Sequence, residues 1–307
     1  MGINGGRVNW VLDADIRAFF DSIDHTWMMR LLEYRIGDRR ILRLIRKWLA
    51  VGVIGEDGVR QPATVGSPQG AVISPLLANV YLHYAYDLWA AQWSRTKAQG
   101  AMLVVRYADQ RFVGMRQAHR NARDDTVAGF EHQDDAERFV ADLRLRMEMF
   151  GLELHADKTR LIEFGKRAAA NRKTRGEGKP DTFDFLGFTH ICGRSRRGYF
   201  LLHRHTKRKS MMAKLQEIAE ELRERWHTSI AEQGKWLGQI VRGHIQYFGV
   251  PTNSRALQAF RYYVSVLWYR ALKRRSQKDT TTWNKMGPRI RDFLPMPRIC
   301  HPWPTRA

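Results

Sequence analysis

VVRYADQRFVGMRQAHRNARDDTVAGF, residues 104–130, is the stretch on which the interpretation of the whole chain depends. It continues a short apolar run that starts at Met102, and such a run is typical of a buried strand. The run ends in Arg106-Tyr107-Ala108-Asp109, and a carboxylate at the end of a buried strand is costly unless it binds metal or accepts hydrogen bonds. A second apolar run, at 10–12, ends in Asp13-Ala14-Asp15. Together they predict two strands whose acidic ends lie side by side.

Acidic strand ends of this kind allow two interpretations. Brought together, they could hold two Mg²⁺ ions, because magnesium prefers carboxylate, phosphate and water oxygens. Such ions can activate a 3′-hydroxyl and stabilise a leaving pyrophosphate. Aspartate at a strand end is also a common turn residue. The motifs in the rest of the chain distinguish between these two interpretations.

The composition points to a folded protein with a polyanionic partner. The chain has 307 residues, of which 44% are hydrophobic, enough for two domains with a sizeable core. A formal net charge of +21 predicts binding to nucleic acid with strong salt dependence, although a basic solvated surface is the alternative. The two cysteines, Cys192 and Cys300, lie far apart, which fits a reducing cytoplasm and neither a disulfide framework nor a zinc site. No apolar run approaches membrane-spanning length, so we expect no membrane partner.

Hydrophobic periodicity divides the chain near residue 205. Residues 1–204 alternate strand-like runs with helical patterns, which predicts a mixed sheet packed against helices. The basic, Gly-containing segment 165–181 has no periodicity and is predicted to be an exposed loop. Residues 205–307 are helical and basic, with amphipathic patterns at 211–226, 236–248 and 256–275.

Six motifs give the chain a specific resemblance to bacterial group II intron-encoded reverse transcriptase/maturases. They follow the family's order: VLDADIRAFFDSIDH (11–25), GSPQGAVISPLLANVYLH (66–83), RYAD (106–109), GLELHADKTRLIEFG (151–165), FDFLGFTH (183–190) and YFGVPTNSRAL (247–257). The resemblance implies an α+β fold, with a reverse-transcriptase palm at 1–204, whose mixed, mainly antiparallel sheet packs against helices. An α-helical thumb and maturase domain X would follow at 205–307. The ending near HPWP (301–304) resembles the subgroup that lacks an endonuclease domain.

The resemblance also implies an RNA-directed DNA polymerase with two Mg²⁺ ions, an RNA template, a DNA primer and dNTPs. Asp15 and Asp109 would be metal-binding aspartates, and the backbone of Ile16 would help to hold the triphosphate and metal. Phe20 would lie under the sugar and exclude a 2′-hydroxyl. Its alternative role is in the core, since consecutive strand residues face opposite sides and either Phe19 or Phe20 should be buried.

Three further sites are implied by the same motifs. Gln69 would line the nucleotide and template pocket, although Gly-Ser-Pro before it is also ordinary turn chemistry. Lys158 would lie near the incoming phosphates, whereas alone it would be read as a solvated lysine. Phe185-Leu186-Gly187 would form the primer grip, with Gly187 permitting close approach of the backbone.

In the helical part, basic and aromatic residues would bind the template–primer duplex and group II intron RNA. The expected phosphate contacts are Lys207, Arg208, Lys209, Arg242, Arg261, Arg270, Lys273, Arg274 and Arg275. Six rings could stack on unpaired bases: Tyr247, Phe248, Tyr262, Tyr263, Trp268 and Tyr269. Because aromatics at helical spacing are usually core residues, we expect at least half of these six to be buried.

The chain departs from the family pattern in two ways. The family's fingers segments would precede residue 1, so we expect an N-terminally truncated protein. The family motif Tyr-Ala-Asp-Asp is interrupted, since Gln110 follows Asp109, and deletion of 110–124 would restore a near-perfect match that continues from Asp125. Either Gln110 takes the second position and 111–115 form the return strand, or 110–124 bulge out and Asp125 completes the site. The longer match after Asp125 slightly favours the second geometry.

These features support two main hypotheses. The first is a reverse transcriptase that also binds intron RNA and assists splicing and mobility. The second is a catalytically impaired remnant that only binds intron RNA, because splicing assistance requires surface and charge rather than metal ions. Another palm-type nucleotidyltransferase would leave the PQG and GVPTN motifs unexplained.

Overall fold

The computed structural model describes residues 7–50, 53–54, 60–61, 65–66, 73–108, 124–275 and 281–303. Gln69, Asp109 and Gln110 lie outside the described residues, and at Asp125 only the backbone is described. The chain divides into two compact units, residues 6–179 and 180–307. No helix among the described residues is long and apolar enough to cross a membrane.

The first unit contains the four-stranded sheet and the helices that cover it. In chain order its elements are β1 (Trp10–Ala14), α1 (Phe19–Ser22), α2 (His25–Glu33), α3 (Arg39–Ala50), β2 (Val53–Ile54), β3 (Arg60–Gln61), α4 (Ser74–Leu82), a π-helical segment (His83–Asp87), α5 (Leu88–Thr96), β4 (Met102–Ala108), β5 (Asp124–Phe130), α6 (Gln133–Met149), β6 (Arg160–Glu163) and α7 (Ala168–Thr174).

The sheet of this unit is antiparallel, in the order β4-β5-β1-β6. Leu12 and Ala14 of β1 point into the core, as period-two alternation requires. Phe130 of β5 packs against Phe139 of α6, with ring centroids 5.3 Å apart, and both side chains are fully buried. Near the end of β4, Tyr107 is 47% exposed.

The second unit combines a small sheet with long helices. Its elements are β7 (Phe183–Phe185), β8 (Phe188–Arg194), β9 (Phe200–Thr206), α8 (Arg208–Glu224), α9 (Ile230–Phe248), α10 (Ser254–Lys273) and α11 (Trp283–Phe293). Ser229 and Glu232 form a capping box that fixes the start of α9. Trp268 of α10 is fully buried and donates from Nε1 to Gln233 of α9 at 3.2 Å. Helices α8–α10 confirm the three predicted helical patterns.

The division between the two compact units falls at residue 180 of the chain, whereas the predicted division into palm and thumb falls near 205. The reason is that β9 is hydrogen-bonded to the segment between α9 and α10. Asn253 is buried, accepts from the Thr206 amide at 2.9 Å and donates to Thr206 Oγ1 at 2.8 Å. The Arg204 amide donates to Thr252 Oγ1 at 3.1 Å. The division into palm and thumb at 204 stays a prediction about function, while the packing groups β7–β9 with the helices.

Two local predictions were wrong and the overall class was right. Segment 165–181 contains the helix α7, because Glu163 anchors it by accepting from Asn171 at 2.7 Å and from Arg175 at 2.5 Å. Phe19 and Phe20 lie in the short helix α1 rather than in a strand, although Phe19 is buried as expected of one of the pair. Helices packed on a mainly antiparallel sheet confirm the predicted α+β class.

Candidate active site

The strand register brings the two acidic ends to one edge of the sheet. Strand β1 pairs with β5 up to Ala14↔Thr126, so one step further along both strands stand Asp15 and Asp125. Along its other edge, β5 pairs with β4, and there Asp125 is paired with Tyr107. In the backbone, β5 therefore lies between the strand that ends in the VLDAD motif and the strand that leads into the RYAD motif.

The same register settles where the return strand lies. Strand β4 pairs with residues 124–130, and residues 111–115, the alternative return strand, lie outside the described residues. The pair Tyr107↔Asp125 is also the pair that a two-residue turn at Ala108-Asp109 would close if 110–124 were absent. The inserted residues therefore leave the ladder in the register of an uninterrupted hairpin.

Asp15 is held from the opposite side by the segment that precedes β6. Its carbonyl oxygen accepts from the His155 amide at 2.8 Å, and Ile16 forms a β-bridge with Leu154. Lys158 Nζ lies 3.0 Å from Asp15 Oδ2, so the predicted metal ligand and the predicted phosphate contact form an ion pair. This arrangement places a carboxylate and an ammonium group together at the end of β1.

Asp13 and Asp15 have different partners on this face. The carboxylate of Asp13 lies 3.5 Å from the guanidinium group of Arg160 on the paired strand β6. Among the side chains that the structure describes, no three histidine, cysteine or acidic groups are clustered for a metal ion. Asp15 nevertheless supplies a hard oxygen donor of the kind that Mg²⁺ prefers, at the end of β1. A partly exposed carboxylate of this kind fits the role of one ligand to a divalent metal.

Phe20 lies close to a segment that belongs to the predicted nucleotide pocket. Gly66 has a φ of 87°, and a Cβ there would lie 3.0 Å from backbone atoms of Asp21. The Gly66 amide donates to the carbonyl of Ile23 at 2.8 Å, and its own carbonyl lies 2.5 Å from His25 Nε2. The first residue of the GSPQG motif is thus fixed against the FFDSIDH segment. Sequence reasoning did not assign His25, although its place at the end of that motif was a usable signal.

Arg106 is a second residue that sequence reasoning missed. Its guanidinium group makes a bidentate pair with Asp87 of the π-helical segment, at 2.8 and 2.6 Å, and donates to Asn79 Oδ1 at 2.9 Å. The side chain is only 12% exposed, and a planar, buried guanidinium matches a carboxylate fork well. Strand β4 is thereby tied to the helix that follows the PQG motif. The arginine of RYAD, unassigned in the sequence, was the available signal.

The predicted primer grip is a tight turn supported by α9. Leu186 and Gly187 both have positive φ, 51° and 73°, and join β7 to β8 through the pair Phe185↔Phe188. Tyr247 Oη donates to the Leu186 carbonyl at 3.1 Å. A Cβ at Gly187 would lie 3.3 Å from the Phe248 ring, so the glycine is required both by φ and by space. The assignment to primer binding stays a prediction.

The nine predicted phosphate contacts divide into two groups. Three have structural partners: Lys207 Nζ lies 2.9 Å from Asp184, Arg261 donates to the carbonyl oxygens of Ile290 and Leu294, and Arg275 donates to the Thr228 carbonyl at 2.6 Å. The remaining six are exposed at the surface: Arg208, Lys209, Arg242, Arg270, Lys273 and Arg274. Residues 180–307 carry 24 Lys/Arg against nine Asp/Glu, a formal charge of +15 out of the chain's +21. The positive charge is therefore concentrated in the second unit.

The expectation that at least half of the six rings are buried was wrong. Only Trp268 is buried, whereas Phe248 and Tyr269 are half-buried. Tyr247, Tyr262 and Tyr263 are exposed by 49%, 57% and 45%. More aromatic surface is open to a partner than helical spacing alone predicted.

Comparison with known proteins agrees with this geometry. Residues 3–190 match the model of the family described as reverse transcriptase (RNA-dependent DNA polymerase). Protein YkfC of Escherichia coli is 30% identical over 207 residues, 62% of this chain and 49% of its own. The group II intron-encoded protein LtrA of Lactococcus lactis subsp. cremoris is 40% identical over 78 residues, 25% of this chain and 13% of its own. The COX1/OXI3 intron 1 protein of Saccharomyces cerevisiae is 23% identical over 92% of this chain and 40% of its own.

The chain spans about half or less of the length of these curated relatives. Among solved structures, apo telomerase from Candida tropicalis covers 92% of this chain and 44% of its own, with 11% identity and a TM-score of 0.44, too low to support an argument. The family model, by contrast, covers more than half of the chain, and the intron-encoded relatives agree with the resemblance drawn from the motifs. The protein belongs to the reverse transcriptase (RNA-dependent DNA polymerase) family.

Proposed function

We propose that the chain is the RNA-directed DNA polymerase of a group II intron, and that it also binds intron RNA to assist splicing and mobility. The observation that carries the proposal is the sheet register, in which Ala14 pairs with Thr126 and Tyr107 pairs with Asp125, so that positions 15 and 125 each lie one step beyond the last β1–β5 pair. The intron-encoded name of LtrA supports the group II assignment. RNA template, DNA primer and dNTPs are the substrates of this proposal.

In this proposal Asp15, Asp109 and Asp125 hold the divalent ions that reverse transcriptases use, and Mg²⁺ is the proposed metal. When bound, the ions would activate the primer 3′-hydroxyl and neutralise the leaving pyrophosphate. Lys158 exchanges its partner Asp15 for a phosphate oxygen of the incoming dNTP. Phe20 lies under the sugar, and His25 keeps Gly66, the first residue of the GSPQG motif, in place.

The primer and the intron RNA are bound by the second unit. The turn Phe185-Leu186-Gly187 holds the primer strand on its rigid support at Tyr247 and Phe248. The six exposed cations among the predicted contacts neutralise phosphates, so the affinity should fall steeply with salt. The three engaged cations, Lys207, Arg261 and Arg275, instead organise the surface that carries them.

A second candidate function is an RNA-binding protein without polymerase activity. It is favoured by the 15 residues between Asp109 and Asp125, which separate two predicted metal ligands that adjoin in the family motif. The ion pair between Lys158 and Asp15 also supports it, because a neutralised carboxylate attracts metal less strongly.

Primer extension on an RNA template with Mg²⁺ tests the proposal. We expect the chain to extend the primer and Asp15→Asn to lose at least a hundredfold in rate, because it removes a charged ligand. Asp13→Asn is the matched control, since Asp13 pairs with Arg160 on the same face and has no assigned ligand role. Equal rates for the two variants would refute the assignment of Asp15. If the folded parent chain binds RNA but never extends a primer, the polymerase proposal is refuted. The second candidate function, RNA binding without polymerase activity, is then supported.

A further inference from the structure

Helices α10 and α11 enclose a cleft that none of the motifs assigns. Its volume is about 270 Å³, and its aromatic walls are Tyr262 and Trp283, with Met296 and Pro297 at one side. The exposed fractions of Tyr262, Trp283 and Met296 are 57%, 41% and 71%. The volume lies just below the roughly 300–1,000 Å³ of pockets for drug-sized ligands, which suits a single ring system.

The walls of this cleft are pre-formed. Trp283 packs edge-on against Tyr269 and Tyr262, with ring centroids 5.4 and 6.3 Å away. Arg261 lines the cleft, and its guanidinium group donates to the Leu294 carbonyl at 3.2 and 3.3 Å, so it is fixed against the end of α11. A rigid site loses little side-chain entropy when a ligand binds.

The chemistry of the cleft combines ring faces with hydrogen-bonding groups and positive charge. Gln258 and Ser265 lie in its lining beside Arg261, so polar atoms accompany the rings. Residues 254–307 contain twelve Lys/Arg and two Asp/Glu, a formal charge of +10. Tyr269 packs against Trp283 of the cleft wall, and the exposed Lys273 Nζ lies 5.6 Å from the centre of the Tyr269 ring. An exposed cation therefore lies next to the aromatic wall. An apolar peptide would not require this charge, whereas a base attached to phosphates would.

We propose that this cleft binds one unpaired nucleobase of an RNA strand, stacked on Tyr262 or Trp283, with the neighbouring phosphates on the exposed cations of α10. The inference rests on the proposed RNA binding of the second unit and adds a defined base site to it. Aromatic faces and a fixed guanidinium plane are the groups on which splayed-out bases stack. Arg261 therefore acts as part of the wall, while Arg270, Lys273 and Arg274 contact phosphates.

The test measures the affinity of the full chain for a labelled RNA hairpin with a single-stranded overhang and for a blunt RNA duplex. The double variant Tyr262→Leu/Trp283→Leu should weaken overhang binding by roughly ten- to a hundredfold, the usual effect of losing base–aromatic stacking. Its affinity for the blunt duplex should stay within about twofold of the parent, because phosphate contacts are retained. Replacing the overhang nucleotides by abasic ones should reproduce the loss in the parent chain.

Two further variants keep the test independent of folding. Trp226→Leu removes another exposed ring, 61% accessible, at the end of α8 and should leave overhang binding unchanged. Met296→Glu adds a negative charge at the exposed rim and should weaken overhang binding by about tenfold without disturbing the core.

Equal losses for overhang and duplex, or no loss in either cleft variant, would overturn the base site. If the cleft instead binds a second copy of the chain, the double variant should differ from the parent chain in its sedimentation coefficient. Primer extension reports separately on the proposed polymerase. If primer extension fails but the chain still prefers the overhang, the polymerase proposal is refuted and the base site is retained. If primer extension succeeds but the overhang preference is absent, the base site is refuted and the polymerase proposal is retained.

Discussion

Lys158 Nζ lies 3.0 Å from Asp15 Oδ2, at the end of the central strand β1. The two side chains are 49% and 21% exposed, so the pair is reachable from solvent and costs little to separate. A lysine in this place can balance the carboxylate in the free protein and a triphosphate in the complex. The pair thus links two residues that the sequence motifs assigned to separate tasks.

Lys158→Ala should raise the KM for dNTP by about tenfold, because one charged contact to the phosphates is worth roughly 1.5–3 kcal/mol. Steady-state primer extension at varied dNTP concentration measures this effect. Lys97→Ala is the matched control, since Lys97 forms a similar surface pair with Asp142 at 2.7 Å, away from β1. The same KM increase in both variants would show that lost surface charge, not the contact at Asp15, is responsible.

Gly187→Ala should lower the free energy of unfolding more than Gly198→Ala does. Both glycines have positive φ, 73° and 80°, where an L-residue costs roughly 1–2 kcal/mol. Only at Gly187 does a Cβ also meet the Phe248 ring, whereas nothing lies within 4 Å of a Cβ at Gly198. Urea unfolding gives both values, and primer affinity should fall for Gly187→Ala alone. Equal destabilisation would mean that Phe248 does not support the turn.

Stability should fall as the pH is lowered through the range where His244 would normally titrate. Burial, with a smaller contribution from Lys214, lowers the pKa of His244 to about 4 from its ordinary 6.5. The unfolded chain therefore takes up a proton below about pH 6.5 that the folded chain takes up only near pH 4. The contribution of His244 to the free energy of unfolding is therefore fully present above pH 6.5. It falls by about 1–2 kcal/mol when the pH is lowered to 5.

The ring of His244 stacks on Phe260 at 3.6 Å and lies 4.5 Å from that of Phe248, so its protonation would disturb the support of the primer-grip turn. Urea unfolding at pH 7 and pH 5 measures the difference. His244→Phe should remove the contribution of His244 and leave that of His190, because burial also lowers the pKa of His190 to about 4, and His227→Phe, at an exposed position, should retain both contributions. A parent-like pH dependence in His244→Phe would assign the effect to other groups.

The sequence predicted well what local patterns and burial determine. Short apolar runs located β1 and β4, because strands buried by helices must be apolar, and amphipathic spacing located α8–α10. Helix α11 was not predicted, since Gly287 and Pro288 interrupt its pattern. Helix α7 was taken for a loop, because its anchors on Glu163 are tertiary contacts. The attachment of β9 to Asn253 is equally invisible in sequence, so the division of the compact units at residue 180 could not be predicted.

The site was predictable as a set of motifs, but not as a set of contacts. The motifs named Asp15 and Lys158 separately, and only the fold reveals their ion pair. Arg106 and His25 stood inside recognised motifs, yet their partners Asp87 and Gly66 are distant in the chain. The pairing of β4 with residues 124–130 was one of two alternatives that the sequence left open. The metal-binding role of Asp125 stays a prediction.

Primer extension by two deletion variants tests the central claim most directly. Deletion of 110–124 leaves Asp125 paired with Tyr107, whereas deletion of 111–125 has the same length and register but puts Gln110 in that position. Both shorten the loop by 15 residues, which should stabilise the hairpin by about 2 kcal/mol through lower closure entropy. We predict robust extension by the first variant and at least a hundredfold less by the second. Equal activities would contradict the role of Asp125, and no extension by either folded protein would contradict the polymerase proposal.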